Sequence, residues 1–490
     1  MAYKPDLKSI RSHNVLEWFH NAKIGIIVHW GLYSVPGWAP TTGELTQVAA
    51  EKGWEYWFTH NPYAEWYFNS IRIEGSPSYH YHVNTYGAGF KYDDFSKIFN
   101  QEIKKWEPRK WADLFKKAGA QYVVFTAKHH DGFLMWPSDH PNPRKRKHQV
   151  ERDIVGELTD AVRERNMRMG IYYSSGIDWS FREKVVRDIT DLVDAIPRGE
   201  EYGKYVYNHW CELIDRYKPS ILWNDIAYPA TGRFLEMVAY YYNTVSEGVI
   251  NDRWMLFNPE SRTFALLSIL LSKRRTRSLI LPLLFKIGAP SSPHFDYRTL
   301  EYSVYSKIAR EKWECVRALG YSFGYNRNEG EEHTIPLRRL VHLLVDVVSK
   351  NGNLLIGVGP AADGTIPEIQ RRRLLELGEW LSINGEAIYG SRPWFNAEGT
   401  TGEGVSLRFT RKEDALYAIL LGKPWEREIT IRNLRLSKDT DVKLLGSDEE
   451  MEWRRESGDK LVVKLPATLT ESPAYTIKIT PRPEAKLLQE

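Results

Sequence analysis

The sequence predicts an α/β protein, a (β/α)8-like barrel followed by an antiparallel β-sandwich. Three observations carry that expectation. Apolar residues at helical spacing are followed by short apolar runs of strand length, and this unit recurs along the chain. Polar and aromatic residues stand at the C-terminal end of those runs, the pattern of a barrel whose strands feed one pocket. From about residue 390 the texture changes to short alternating runs separated by turn residues, the period of half-buried antiparallel strands. A doubly wound sheet also fits the first observation, but it would spread the polar strand ends along a line. The expected domains are residues 1–385, which include an atypical segment at 255–293, and residues 386–490.

Taken in order, residues 1–22 read as a lead-in helix with Leu16 and Trp18-Phe19 apolar. Lys23 to Val28 is a buried-strand run that ends in His29-Trp30-Gly31. Residues 32–105 read as a long connection rich in Trp, Tyr, His and Pro, and loops of that length are commonly functional. Glu65 within it reads either as a substrate-facing acid between aromatic rings or as a helix-surface residue. Trp111, Leu114, Phe115 and Ala118 mark a helix, Gly119 its stop, and Tyr122 to Thr126 the strand that leads into His129-His130-Asp131. The unit returns with Val155, Leu158 and Val162 before the strand Met167 to Tyr173. It returns again with Val206, Leu213 and Tyr217 before the strand Ser220 to Trp223. Leu340 to Val348 and then Leu354 to Val358 repeat it once more. Asp225, closing the third of these strands, reads either as a nucleophilic carboxylate at the barrel mouth or as the cap of the next helix. The alternating runs 406–410, 415–419, 428–431, 461–465 and 475–479 supply the sandwich.

Composition excludes several function classes. A net charge of +4, with the basic residues dispersed, gives no nucleic-acid surface, and the run Arg144 to Lys147 reads as solvated loop charge. Two cysteines, Cys211 and Cys315, make neither a disulfide framework nor a zinc site. The apolar stretch 264–287 is interrupted by Lys273, Arg274, Arg275 and Arg277, so no membrane span is expected. The first residues carry no apolar signal core, and a cytoplasmic protein is expected. His129, His130, Asp131 and His29 invite comparison with a metal site, but adjacent strand residues face opposite ways and the cluster lacks the usual ligand spacings, so neither metal nor cofactor is expected. The 18 Trp and 28 Tyr suit the apolar faces of sugar rings, or equally a large aromatic core. Carboxylates beside His and aromatic walls fit glycoside hydrolysis best. A retaining enzyme of that class sets two carboxyls about 5–5.5 Å apart.

The motifs, in order, strongly resemble the retaining α-L-fucosidases of glycoside hydrolase family 29. They are Trp18-Phe19, Lys23-Ile24-Gly25, His29 to Pro36, Glu65-Trp66-Tyr67, Tyr122 to Phe133 and Leu222-Trp223-Asn224-Asp225. Ser322-Phe323-Gly324-Tyr325-Asn326, Gly352 to Leu355 and Gly359-Pro360 complete the series. The resemblance implies hydrolysis of terminal α-L-fucosides on fucosylated oligosaccharides, through a glycosyl-enzyme intermediate, by a metal-independent homo-oligomer. It places the nucleophile on Asp225 and fucose contacts on His29, Glu65, Trp66, His129, His130, Tyr172, Trp223, Arg253 and Phe323. It places the acid/base on Glu301, which follows Asn251-Asp252-Arg253-Trp254 and the segment His294-Phe295-Asp296-Tyr297, with Glu65 as the other candidate. Residues 255–293 stand where relatives have only a few. They read either as an insertion at the barrel rim or as a foreign segment that displaces Glu301. The second case would leave a fucose-binding protein with weak or lost turnover.

Overall fold

The computed structural model describes residues 2–257 and 292–485. Eight parallel strands make one curled sheet: β1 (Ile24–Val28), β2 (Tyr122–Lys128), β3 (Arg168–Ser174), β4 (Ile221–Asp225), β5 (Val249–Ile250), β6 (Arg298–Glu301), β7 (Trp313–Ala318) and β8 (Gly352–Val358). Their order is β5-β4-β3-β2-β1-β8-β7-β6, the cyclic order of a (β/α)8 barrel opened between β5 and β6.

Side-chain alternation divides the strand residues between two cores. Tyr122, Val124, Tyr172, Ile221, Trp223, Val249, Val316, Ala318 and Leu355 pack together inside the barrel. Their neighbours Val123, Phe125, Met169, Ile171, Leu222, Ile250, Cys315, Leu354 and Ile356 pack outward against the surrounding helices. Those helices include Pro108–Lys117, Ile154–Glu164, Glu200–Tyr217, Phe234–Thr244, Leu337–Ser349 and Glu368–Ile388. Each has a local cause. Pro108 opens its helix at the first turn, where a missing N–H costs nothing. The Asp153 carboxylate accepts the Gly156 N–H at 2.9 Å and starts the next helix. Lys218, in the left-handed region at φ 44°, ends the helix before β4.

The gap between β5 and β6 is bridged by Asp296. Its N–H donates to the Ile250 carbonyl at 2.9 Å. Its carboxylate accepts the Ile250 N–H at 2.7 Å and the Tyr242 hydroxyl at 2.8 Å, and lies 2.8 Å from His13 Nδ1. One buried carboxyl thus ties two strand ends, an outer helix and the N-terminal segment.

Several expectations are corrected. The lead-in consists of two short helices, Leu7–Ile10 and Glu17–Ala22, broken by a turn. The connection 32–105 is largely helical, with Leu45–Lys52, Trp54–Thr59, Pro77–Tyr86 and Phe95–Glu102, because its aromatic residues pack into the core instead of lining a loop. The basic run lies in an exposed loop, as expected, with Arg144 paired to Glu201 at 2.6 Å and Lys145 to Asp93 at 2.8 Å. After the barrel, strand Arg392–Thr400 opens an antiparallel five-stranded sheet, and Glu428–Ile431, Glu452–Glu456 and Lys460–Lys464 form a three-stranded one. Both contribute to one core, including Leu416, Ile431, Leu461 and Ile477. Most of the atypical segment, residues 258–291, lies outside the described residues. Its flanks meet, since Trp254 N donates to Ser292 Oγ at 2.9 Å. No described helix is long and apolar enough to cross a membrane.

The Asp296 bridge generates a prediction. Asp296→Ala leaves the buried Ile250 N–H without its acceptor, takes the His13 ring from its partner and leaves the Tyr242 hydroxyl with His294 alone, and should cost about 3 kcal/mol of stability. Calorimetry that finds an unchanged Tm would contradict this account of the seam.

Candidate active site

At the C-terminal mouth of the barrel one guanidinium holds two carboxylates. Arg253 Nη1 donates to Asp225 Oδ1 at 2.8 Å, and Nη2 donates to Glu301 Oε2 at 3.2 Å. Asp225 closes β4 and Glu301 closes β6, so both face inward by strand parity. Asp225 also accepts the Tyr172 hydroxyl at 2.7 Å and the Ile226 N–H at 2.9 Å. It caps no helix, because the next one begins at Phe234 after Arg233. Burial pushes the Asp225 carboxyl up, but Arg253, His130 and the Tyr172 hydrogen bond outweigh it and hold it below the usual carboxylate range. Glu301 accepts a second bond, from the Tyr63 hydroxyl at 2.8 Å. It is therefore not displaced by the long segment that precedes it.

The residue after each carboxylate adopts a left-handed backbone, Ile226 at φ 66° and Tyr302 at φ 50°. Neither side chain favours that region, and such a conformation costs about 1–3 kcal/mol. It turns the chain away abruptly and leaves each carboxylate at the strand tip.

The segment that carries Arg253 is fastened on both sides. Asn251 Oδ1 accepts the Asn224 N–H at 3.1 Å, and Asn251 Nδ2 donates to the Asn224 carbonyl at 2.9 Å. Asn224 Nδ2 in turn donates to the Arg253 carbonyl at 2.8 Å. Asp252 Oδ1 accepts the Thr299 N–H at 2.9 Å and the Thr299 hydroxyl at 2.6 Å. The sequence Asn251-Asp252-Arg253 thus ties β4 to β6 and places the cation between their terminal acids.

Around this pair stand the other predicted contacts. His29 follows β1, and its ring centroid lies 5.2 Å from that of Tyr172 and 5.1 Å from that of Phe323. His129 stacks on Tyr172, with 12° between the planes, and lies 4.0 Å from His130. His130 Nε2 is 4.0 Å from Asp225 Oδ2, and its Nδ1 meets Ser174 Oγ at 2.7 Å. Trp66 sits edge-on to His130 at 5.1 Å. Burial, the largest influence in each case, lowers His29 to about 3 and His130 to about 4 and carries His129 well below its usual value. The three imidazoles are therefore neutral near pH 7, and each offers one donor and one acceptor. The Nδ1 atoms of His29 and His129 are buried without a hydrogen-bond partner among the described residues. Hydroxyl groups are the natural complement to such atoms.

Glu65 is no surface residue. It lies on the turn Ala64–Trp66, 2 % exposed, and its Oε2 accepts the Gly324 N–H at 2.8 Å and the Ser322 hydroxyl at 3.2 Å. Burial raises it to about 7 against the opposing pull of those hydrogen bonds. Among the described residues, no group of three or more His, Cys, Asp or Glu is placed to hold a metal ion. Three supporting residues escaped the sequence reading: Tyr63, Thr299 and Glu314, the last inside the barrel beneath Trp223. Tyr63 adjoins the recognised Glu65 motif, and that adjacency was the available signal. Glu314 lies in a buried strand, Trp313–Ala318, whose apolar residues are interrupted by Glu314 and Arg317.

Comparison with known proteins places this geometry. The family model for alpha-L-fucosidase matches residues 1–269 and 285–386, and the model for the alpha-L-fucosidase C-terminal domain matches 402–480. The chain is similar to the tissue alpha-L-fucosidase of Bos taurus, 32% identical over 98% of this chain and 91% of that one. The human tissue alpha-L-fucosidase is 30% identical over 98% and 92% of the two chains. Among solved structures, an alpha-L-fucosynthase of Thermotoga maritima in complex with alpha-L-Fuc-(1-2)-beta-L-Fuc-N3 superposes with a TM-score of 0.84. It is 42% identical and covers 98% of this chain and all of that one. The alpha-fucosidase of the same organism in complex with a mechanism-based inhibitor gives 0.82 at 42% identity, with the same coverage.

The buried state of Glu65 predicts a pH dependence of stability. Between its ordinary value of 4.5 and its folded value of about 7, the unfolded chain has lost this proton while the folded chain keeps it. Stability therefore falls as pH rises through that window, by up to about 1.4 kcal/mol per pH unit for one such carboxyl. Glu65→Gln should flatten the decline of Tm between pH 5 and 7. An unchanged slope would mean that Glu65 is not protonated in the fold.

Proposed function

The chain belongs to the alpha-L-fucosidase family and is a retaining glycosidase of terminal α-L-fucosides, and from that premise we propose that Asp225 is its nucleophile and Glu301 its acid and base. The observation that carries this assignment is the shared guanidinium. A retaining pair must address the same glycosidic bond, and Arg253 binds both carboxylates at once. The shorter of its two bonds goes to Asp225, the group that has to stay ionised to attack.

In the first step Asp225 forms a bond to the anomeric carbon as the glycosidic C–O bond breaks, and Glu301 gives its proton to the departing oxygen. In the second, Glu301 removes a proton from water, the water oxygen takes the anomeric carbon, and the Asp225 carboxylate is released. His29, His129, His130 and Glu65 are suited to the fucose hydroxyls, because they are neutral or near neutrality and present paired donors and acceptors. Trp66, Trp223 and Phe323 offer apolar faces to the ring and its methyl group. Tyr172 and Arg253 steady the nucleophile.

A second reading gives the acid role to Glu65. Its value of about 7 is close to the ideal for a general acid at neutral pH. Its hydrogen bonds run to Ser322 and Gly324 and not to Arg253, which favours Glu301. The proposal also extends to a homo-oligomer in the cytoplasm, an expectation from the sequence that sedimentation velocity and cell fractionation would check.

Asp225→Gly should lower kcat on an aryl α-L-fucoside by about 10⁴-fold or more, and azide should restore turnover as a fucosyl azide. A variant that keeps the normal rate contradicts the assignment. Glu301→Gln should lose most activity on substrates with poor leaving groups and little on activated ones. If Glu65→Gln behaves that way instead, the acid role passes to Glu65.

A further inference from the structure

Below the two carboxylates the barrel axis holds a third. Glu314 on β7 is fully buried and shares the inward face with Val316 and Ala318. It accepts the indole N–H of Trp223 at 2.9 Å and the hydroxyl of Tyr122 at 2.6 Å. The tightness of the arrangement is visible at Gly25, where a Cβ would meet the Tyr122 ring at 2.2 Å. A carboxyl in this position is costly, because burial opposes its charge. An apolar side chain of similar size would fill the space without that cost, so what Glu314 holds in place matters.

What it holds is the platform under the nucleophile. The Trp223 ring stacks with Tyr172 at 5.3 Å with 22° between the planes, and the Arg253 guanidinium lies 4.8 Å from its centroid. Tyr172 and Arg253 are the two side chains whose hydroxyl and guanidinium bond to Asp225, at 2.7 and 2.8 Å. An indole free to rotate about its side-chain bonds would remove the flat face against which both are set. The single hydrogen bond from Nε1 to Glu314 fixes its rotation within the plane of the stack.

We infer that Glu314 is a positioning residue for the hydrolysis: by fixing the Trp223 indole it sets Tyr172 and Arg253 against Asp225. The inference rests on the reading of Asp225 as nucleophile. Burial raises Glu314 to about 7, while Tyr122, Trp223, Lys312 and Arg253 oppose the rise. The charge at the base of the stack therefore changes near neutrality.

A double-mutant cycle tests it. Glu314→Met keeps the length of the side chain and removes the acceptor, and Trp223→Phe keeps a ring and removes the N–H. Each alone should reduce kcat/KM on an aryl α-L-fucoside by about 10-fold or more, chiefly through kcat. In the Trp223→Phe background, Glu314→Met should cost less than about twofold further, because the link it acts through is already gone. Losses that multiply would mean that Glu314 does not act through Trp223 and overturn the inference, as would either single variant at the wild-type rate. If Glu314→Met fails to fold, Tyr122→Phe removes the other donor from the same carboxyl and takes its place in the cycle. Non-additivity with Trp223→Phe then supports the inference, and additivity overturns it. Failed azide rescue of Asp225→Gly would remove the nucleophile reading, whereas the cycle reports only whether Glu314 acts through Trp223.

Discussion

The ion pair between Arg253 and Asp225, extended by the same guanidinium to Glu301, is the interaction on which the site depends. Two carboxylates at one buried mouth repel each other and lose hydration, and the cation between them offsets both effects. Its position is set by covalent neighbours more than by its own side chain. Asn251 is bound into β4 through Asn224, and Asp252 is bound to Thr299 two residues before Glu301. Three consecutive residues therefore measure the distance between two strand tips that come from distant parts of the chain. Asp296, a short way along the chain from Asp252, holds β5 to the start of β6.

The rest of the mouth is tuned by burial. Three histidines that would be partly charged in water are held neutral, so the positive charge close to Asp225 stays concentrated on Arg253. Glu65 moves in the opposite direction for the same reason, and keeps a proton near neutrality. The left-handed backbones of Ile226 and Tyr302 are the conformational cost of exposing two acids at strand ends. The strain thus falls at the candidate site, and stability is supplied by the two cores that sandwich the strands.

Much of this was legible in the sequence where hydrophobicity alone determines structure. β1 to β4 and β8 are apolar runs preceded by helices with apolar stripes, and the strand-end position of Asp225 follows from them. β5, β6 and β7 were not legible. The first is only two residues long, and the others carry Thr299, Glu301 and Glu314 on their inner faces, which breaks the apolar signature of a buried strand. Those are the same polar groups that build the site. The choice between cap and nucleophile for Asp225 could not be made locally, because it depends on Arg253, which comes from the next strand end. The burial of Glu65 was likewise hidden, since its partners Ser322 and Gly324 lie more than 250 positions away. The unusual length of the segment after Trp254 hid where Glu301 stands, and its bonds to Arg253 and Tyr63 bring it to the barrel mouth.

The central claim is that Asp225 carries the fucosyl group between the two steps. A 2-deoxy-2-fluoro-α-L-fucosyl donor with a good leaving group slows the second step and allows the intermediate to accumulate. Peptide mass spectrometry of the labelled protein should find one adduct per chain, on the peptide that contains Trp223-Asn224-Asp225. An adduct on the peptide of Glu65 or Glu301, or turnover with no adduct at all, would contradict the account.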